Sequence, residues 1–384
     1  MQLLFESLFN GVAIGSVLLM AALGLAIVFG LMGVINLAHG ELIMLGAYTT
    51  FVVQLIFKLP ALAPVYDLYV LVSIPIAFLV SGVVGVLLER TVIRRLYGNP
   101  LETLLATWGV SLILQQFVRS VPMANASGLI LALVVGFGLP LFLPDRWLDG
   151  SRSRLVRAGS WGVAALMGVV LANGLGSQIS RLAQADARNV DVTAPQWMRG
   201  GIDLLGLTVP VPRLVIIVVT VVAVLGVTWF LNRSVWGMRI RAVTQNRSMS
   251  DCLGIATDTV DVLTFGIGSG LAGVAGVAVS LLGSVGPNVG NSYIVGCFMV
   301  VVLGGVGNLF GTVLASFTIG WLTDLIGAGR LLTLWPDMPA PLAGAVTFFA
   351  TTSMAQVMIF ALIVVFLQFR PAGMFPQKGR MVEA

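Results

Sequence analysis

Long uncharged runs alternate with short polar segments along the whole chain, and this alternation predicts its elements. Residues 10–31, 42–57, 68–88, 104–118, 214–231, 262–282 and 343–369 are apolar runs of about membrane-spanning length. Residues 293–302 and 309–323 are two shorter runs joined by the glycine-rich break GGVGN. Residues 128–143 and 160–176 add a further apolar pair, joined by a linker that carries four arginines. The polar turn GVINLAHGE precedes the run at 42–57 and interrupts the apolar pattern at Asn36, His39 and Glu41.

Charge assigns the sides. Arg90, Arg94 and Arg95 form one basic cluster, the 145–157 linker another, and Arg233, Arg239, Arg241 and Arg247 a third. With each run crossing once, all three fall on one side, as the positive-inside rule requires. Arg370, Lys378 and Arg380 place the C-terminus on that side too, with the N-terminus outside. The count is eleven crossings, or nine if 128–143 and 160–176 form a partly immersed hairpin. The expected fold is therefore an all-α polytopic integral membrane protein, one domain over 1–384. It has about 9–11 transmembrane helices and short or broken helices near residues 33–41 and 304–308.

The stretch GMRIRAVTQNRSMSDCLGI, residues 237–255, stands out as a polar segment between two long uncharged runs. Met238, Ile240, Val243, Met249, Leu253 and Ile255 can share one helical side, which predicts a short amphipathic helix facing the cytosol. Such a helix has a face to press against a partner, or it is an ordinary basic loop touching lipid headgroups.

Composition narrows the class. The chain has 384 residues, of which 58% are hydrophobic and 10% charged. Its mean hydropathy is +1.01. A soluble domain carries about a quarter charged residues. The net charge of +5 follows from loops on the positive side of a bilayer and does not point to nucleic acid. Cys252 and Cys297 lie in a loop and a span, so no disulfide framework or metal site follows. His39 is the only histidine, which leaves metal binding and hydrolysis without a ligand set and makes a structural tie its expected role. Glu102 is expected at the inner interface near Arg94 or Arg95. No G-x-x-x-x-G-K-[ST] motif is present to cradle ATP, and no cofactor is expected.

Several stretches carry a family resemblance. These are FNGVAIGSVLLMAALGLAIVFGLMGVINLAHGELIMLGAY, ETLLATWGVSLILQQ from Glu102, and RAVTQNRSMSDCLGI from Arg241. Later come SLLGSVGPN from Ser280, MVVVLGGVGNLFGT from Met299 and RPAGMFPQKGR from Arg370. With them the chain resembles the permease subunits of ATP-binding-cassette importers for branched-chain amino acids, most closely the urea-transporter branch. It departs from that family's pattern over residues 122–187, which look like an inserted helical hairpin.

The resemblance implies a bacterial inner-membrane permease subunit rather than an enzyme. It implies four partners: a second, similar permease, two cytosolic ATPase subunits and a periplasmic solute-binding protein. It also implies that residues 233–256 form the segment seated on an ATPase, with the family pattern falling on Arg241, Ala242, Asn246, Leu253, Gly254 and Ile255. Urea or a short-chain amide is the first expected solute and branched-chain amino acids the second. A stand-alone channel or secondary transporter is the competing class, and it leaves the 237–255 segment without a task.

Polar groups at membrane depth usually face a cavity or another helix. GVINLAHG and GVGNLFG align with one gap, as related breaks in an internal repeat would. Asn36, His39, Glu41, Gly304, Gly305, Gly307 and Asn308 are the candidates for the solute pathway. The alternative is that Asn36 and Asn308 cap helices while the glycines permit close packing.

Overall fold

A computed structural model describes residues 2–60, 62–121, 125–130, 132–133, 136, 161–170, 173, 189–204, 207–330 and 339–375. Among the described residues the fold is all-α apart from one small hairpin. The helices are α1 (Gln2–Ile27), α2 (His39–Phe57), α3 (Tyr69–Thr91), α4 (Pro100–Ser120), α5 (Val211–Arg233), α6 (Val235–Gln245), α7 (Arg247–Cys252), α8 (Thr257–Ser280), α9 (Val289–Gly304), α10 (Leu309–Gly327), α11 (Ala340–Phe349) and α12 (Thr352–Phe369). Among the described residues, seven helices are long and apolar enough to cross a membrane; Trp161–Val170, α9 and α12 are shorter apolar helices.

The centre of the bundle is α8 with α1, α2 and α3 around it. Small residues let these backbones touch. A Cβ on Gly46 of α2 would collide with Gly273 of α8, and one on Gly24 of α1 with Gly268. In a bilayer, where lipid is as apolar as leucine, such close approach replaces the hydrophobic effect as the source of helix association. Helix α10 packs along α1, and α9 lies against α2 with Gly290 on Gly40. Helices α4 and α5 are peripheral, each with an exposed apolar side.

At the start of α5, the end away from the 233–256 segment, strands β1 (Gly201–Leu204) and β2 (Leu207–Pro210) form an antiparallel hairpin. The chain before it lies over the ends of α2 and α3. Thr193 O accepts hydrogen bonds from Tyr69 Oη at 2.6 Å and Gln54 Nε2 at 3.0 Å.

Three expectations change. The last apolar run, 343–369, is two helices rather than one span, because Thr351 caps α12 with its side-chain oxygen on Met354 N. The 237–255 segment is likewise two helices, α6 and α7. Glu102, expected near Arg94 or Arg95, accepts from Asn99 Nδ2 at 3.2 Å and forms no ion pair with either among the described residues, while Arg94 pairs with Asp258. The predicted runs 128–143 and 160–176 fall mostly outside the described residues. Within them Gly128 packs on Gly168 and Gly136 on Trp161.

Candidate functional site: the inner face and its elbow

The segment between α5 and α8 is built from local capping. Ser234 ends α5 and caps α6, its hydroxyl oxygen accepting from Gly237 N at 2.9 Å. Asn246 has extended backbone, φ −155° and ψ 102°, and belongs to neither helix. Its side-chain oxygen accepts from Met249 N at 2.9 Å, so one asparagine terminates α6 and starts α7. Gly254 closes α7 at φ +82°, a conformation glycine adopts without strain, while Ile255 N bonds Ser250 O across the turn. The result is a rigid elbow. Ile240 and Val243 are buried against the bundle, whereas Met249 and Leu253 are 59% and 73% exposed. Of the six apolar residues predicted to share one side, Ile240 and Val243 face inward, Ile255 is half-buried against the same cluster, and Met238, Met249 and Leu253 are exposed.

Of the predicted elbow residues, Arg241 donates to Asn232 Oδ1 of α5 at 3.0 Å, and Ala242 is half-buried. Asn246, Leu253 and Gly254 are exposed, and Ile255 is half-buried.

A set of charges holds the elbow to the bundle, and sequence reasoning missed its pairing. Arg247 Nη2 lies 2.6 Å from Asp261 Oδ2 and 3.9 Å from Asp258 Oδ1 of α8. Asp258 also pairs with Arg94, which follows α3. The Arg247 guanidinium sits 4.9 Å from the Tyr97 ring centroid. Burial, and after it the Asp261 and Glu89 charges, push the Tyr97 hydroxyl above the ordinary phenol range. Tyr97 thus stays neutral and presents a ring face to the cation. One arginine of α7 is in this way joined to α8 and to the α3–α4 connection.

The two chain breaks meet at the end of the bundle that carries the elbow. α1 passes through a π turn (Val28–Met32) and stops at Gly33, φ 71°. A Cβ on Gly30 would collide with Gly307, so the first break lies against the second. Gly305 and Gly307 have φ of 101° and 87°, which side-chain-bearing residues rarely adopt. Gly304 lies against the backbone of Gly311, and Gly305 against Phe375. Asn308 caps α10, accepting from Gly311 N at 3.2 Å, and donates to Phe375 O at 3.2 Å.

Asn36, His39 and Glu41 are fully buried. Asn36 Oδ1 accepts from Ala38 N at 3.0 Å and turns the chain into α2. His39 Nε2 bonds Ala21 O of α1 at 2.9 Å. Glu41 Oε1 accepts from Ser111 Oγ at 3.0 Å and Gln115 Nε2 at 2.7 Å, tying α2 to α4. His39 and Glu41 lock helices together, and Asn36 sets the turn between them. Gly307 and Asn308, by contrast, line a groove of about 570 Å³ with Leu31, Thr228, Asn232 and Arg241. The groove brings the second break and the elbow to one space. Among the described residues no group of histidine, cysteine and carboxylate side chains is placed to hold a metal.

Comparison with known proteins follows the same lines. Residues 7–367 match the family described as branched-chain amino acid transport system / permease component. The high-affinity branched-chain amino acid transport system permease protein BraD of Pseudomonas aeruginosa is 25% identical over 370 residues, covering 96% of this chain and 94% of BraD. Its LivH counterpart in Escherichia coli is 27% identical over 334 residues, covering 87% and 89%. The autoinducer 2 import system permease protein LsrC of Yersinia pestis is 26% identical over 161 residues, 39% and 46% of the two chains. No solved structure matches. With a bundle of apolar spans, a capped elbow at one face and a family match over nearly its whole length, this chain belongs to the branched-chain amino acid transport system permease family.

Proposed function

We propose that this protein is the solute-conducting subunit of an ATP-driven importer in the bacterial inner membrane, moved through the α6–α7 elbow by cytosolic ATPase subunits. The observation that carries this reading is the elbow itself. It is capped at three points, held to α8 by Arg247, and presents Met249 and Leu253 outward as an apolar knob. An exposed apolar knob on a stiff polar segment suits a protein partner better than lipid headgroups. Arg241, Ala242, Asn246, Leu253, Gly254 and Ile255 form the coupling surface, with Arg247 as the tie behind it. A second, similar permease and a periplasmic binding protein complete the importer. On this reading the inner groove at Gly307 and Asn308 is the exit of the solute path. Residues 122–187 are an inserted hairpin, supported by the antiparallel pairing of Gly128 with Gly168 and Gly136 with Trp161.

Branched-chain amino acids are the first solute class, supported by the names of BraD and LivH at 25% and 27% identity. Urea or a short-chain amide is the second. The resemblance to the urea branch favours it, as do the neutral donors and acceptors Thr228, Asn232 and Asn308 in the inner groove. Uptake of leucine and of urea by the reconstituted complex decides between them. ATP-dependent accumulation of leucine supports the first class, and accumulation of urea alone replaces it with the second. Full flux without the ATPase subunits contradicts the importer reading.

A further inference from the structure

An apolar groove of about 390 Å³ opens beside α5, on a different side of that helix from the inner groove at Gly307 and Asn308. Ala223, Gly226 and Phe230 of α5 form one wall, and Thr264, Ile267 and Leu271 of α8 the other. Phe78 of α3, packed on Gly270, bounds the end toward the middle of the spans, and Ile240 of α6 lies at the elbow end. From Ala223 to Phe230, as from Thr264 to Leu271, the wall is about 10 Å long at a rise of about 1.5 Å per residue. That is about two-thirds of one leaflet's hydrocarbon, itself about 15 Å thick. A cavity of about 610 Å³ between α1, α9, α10 and α12 includes Asn291, Ser292 and Gln356, whereas Thr264 is the one polar side chain lining this groove among the described residues. Its hydroxyl donates to Val260 O at 2.7 Å within its own helix. A polar solute would leave its hydrogen-bonding groups unpaired here, and hydrocarbon has none to lose.

Positive charge gathers at the elbow end. Helix α6 starts directly against Phe230, because Gly237 packs on the Phe230 and Leu231 carbonyls. Trp236 joins the cluster that contains Phe230, Ile240 and Ile267 of the groove. The Arg239 guanidinium sits 4.9 Å from the Trp236 ring centroid, which holds it beside the mouth of the groove. Arg233 follows Phe230 by one turn at the end of α5. Both arginines are exposed, and neither forms an ion pair among the described residues. We infer that this is a binding site for an anionic phospholipid of the inner leaflet, with one acyl chain in the groove and the phosphate between Arg233 and Arg239. Two cations without carboxylate partners favour a headgroup of net negative charge over a zwitterionic one. The planar fork of arginine also matches phosphate oxygens. The groove opens beside the exposed Val222, Leu225 and Trp229, so a chain enters laterally from the bilayer. A lipid seated there braces α6 against α5 and α8 at the root of the elbow, away from the α7 knob. It binds whatever solute the bundle conducts.

The test is photo-cross-linking of the assembled complex in nanodiscs, with phosphatidylglycerol that carries a diazirine in one acyl chain, followed by peptide mapping. Adducts are expected within 223–231 and 264–271, competed by unlabelled phosphatidylglycerol in preference to phosphatidylcholine. The double variant Arg233→Gln with Arg239→Gln is expected to lower that preference about thirtyfold, about fivefold for each charge. Gly226→Leu fills the groove from its wall, since a Cβ there meets nothing within 4 Å, and is expected to remove the groove adducts. Labelling spread evenly over the exposed side of α5, or equally competed by both headgroups, overturns the assignment. Labelling that the double variant and Gly226→Leu both leave unchanged overturns it too. A variant that fails to assemble is read as the full chain alone in the same nanodiscs, where the same losses are expected. Adducts found on the chain alone that vanish in the complex give the groove to the second permease and overturn the lipid site.

Discussion

At the scale of the residue, the inner face turns on Arg247 and Asn246. Asp261 is 3% exposed and has Arg247 at 2.6 Å, so removing the arginine strands a buried carboxylate. The cost of an unpaired charged hydrogen-bonding group is about 2 kcal/mol. Arg247→Ala is therefore expected to uncouple the complex, with solute uptake falling about thirtyfold for that loss of positioning energy. Arg247→Lys restores part of it, since a lysine keeps the charge but loses the planar fork and the stacking on Tyr97. A comparison of ATP hydrolysis with uptake checks this. Equal uptake by Arg247→Ala and wild type contradicts the tie.

Asn246→Ala removes one cap from a two-helix elbow, a loss of about 1 kcal/mol. It should weaken co-purification of the ATPases, whereas Asn246→Asp should retain it. Glu41 supplies a contrast. Its Oε1 accepts from Ser111 and Gln115, so Glu41→Gln keeps an acceptor for both and is expected to preserve uptake. Glu41→Leu leaves both donors unpaired at a buried site, and the purified chain should melt at a lower temperature. Loss of uptake in a well-folded Glu41→Gln would show that the carboxylate does more than join α2 to α4.

At the scale of the element, the packing of α8 decides whether the bundle forms. Gly46 and Gly273 meet backbone to backbone, and a side chain at either position has no space. Gly46→Leu is expected to abolish accumulation of folded protein in membranes, while Gly109→Leu, where a Cβ meets nothing within 4 Å, is tolerated. Quantitative immunoblots of membrane fractions read the difference.

Element existence was legible in the sequence because it depends on local apolar run length. The long runs at 10–31, 214–231 and 262–282 reappear as α1, α5 and α8. Element ends were less legible. The apolar spacing from Met238 to Ile255 reads as one helix, and only the side chain of Asn246, turned back on Met249 N, splits it. The same competition by Thr351 divides the last run. Pairings were illegible where partners lie far apart in sequence. Nothing local in Arg94 points to Asp258, and nothing in Glu41 points to Ser111 and Gln115. The cavity between α1, α9, α10 and α12 was hidden for the same reason, since its wall comes from four separated helices.

At the scale of the whole molecule, the account requires one face to carry the Gly33 and Gly307 ends of the chain breaks, the basic loops and the elbow, and the other to carry the hairpin. The protein's own cysteines report on that arrangement. Cys252 in α7 is exposed and Cys297 in α9 is buried. An impermeant maleimide should label Cys252 in inside-out vesicles and leave it unlabelled in right-side-out ones.

The central claim is that force enters at the elbow from a separate ATPase, and Cys252 allows it to be tested in the unmodified chain. A thiol-directed photo-cross-linker on Cys252, one residue from the exposed Leu253, should capture the cytosolic ATPase subunit in assembled complexes. Its yield should change between nucleotide-free and ATP-bound states. Capture of lipid alone, or a yield indifferent to the presence of the ATPase, would contradict the account.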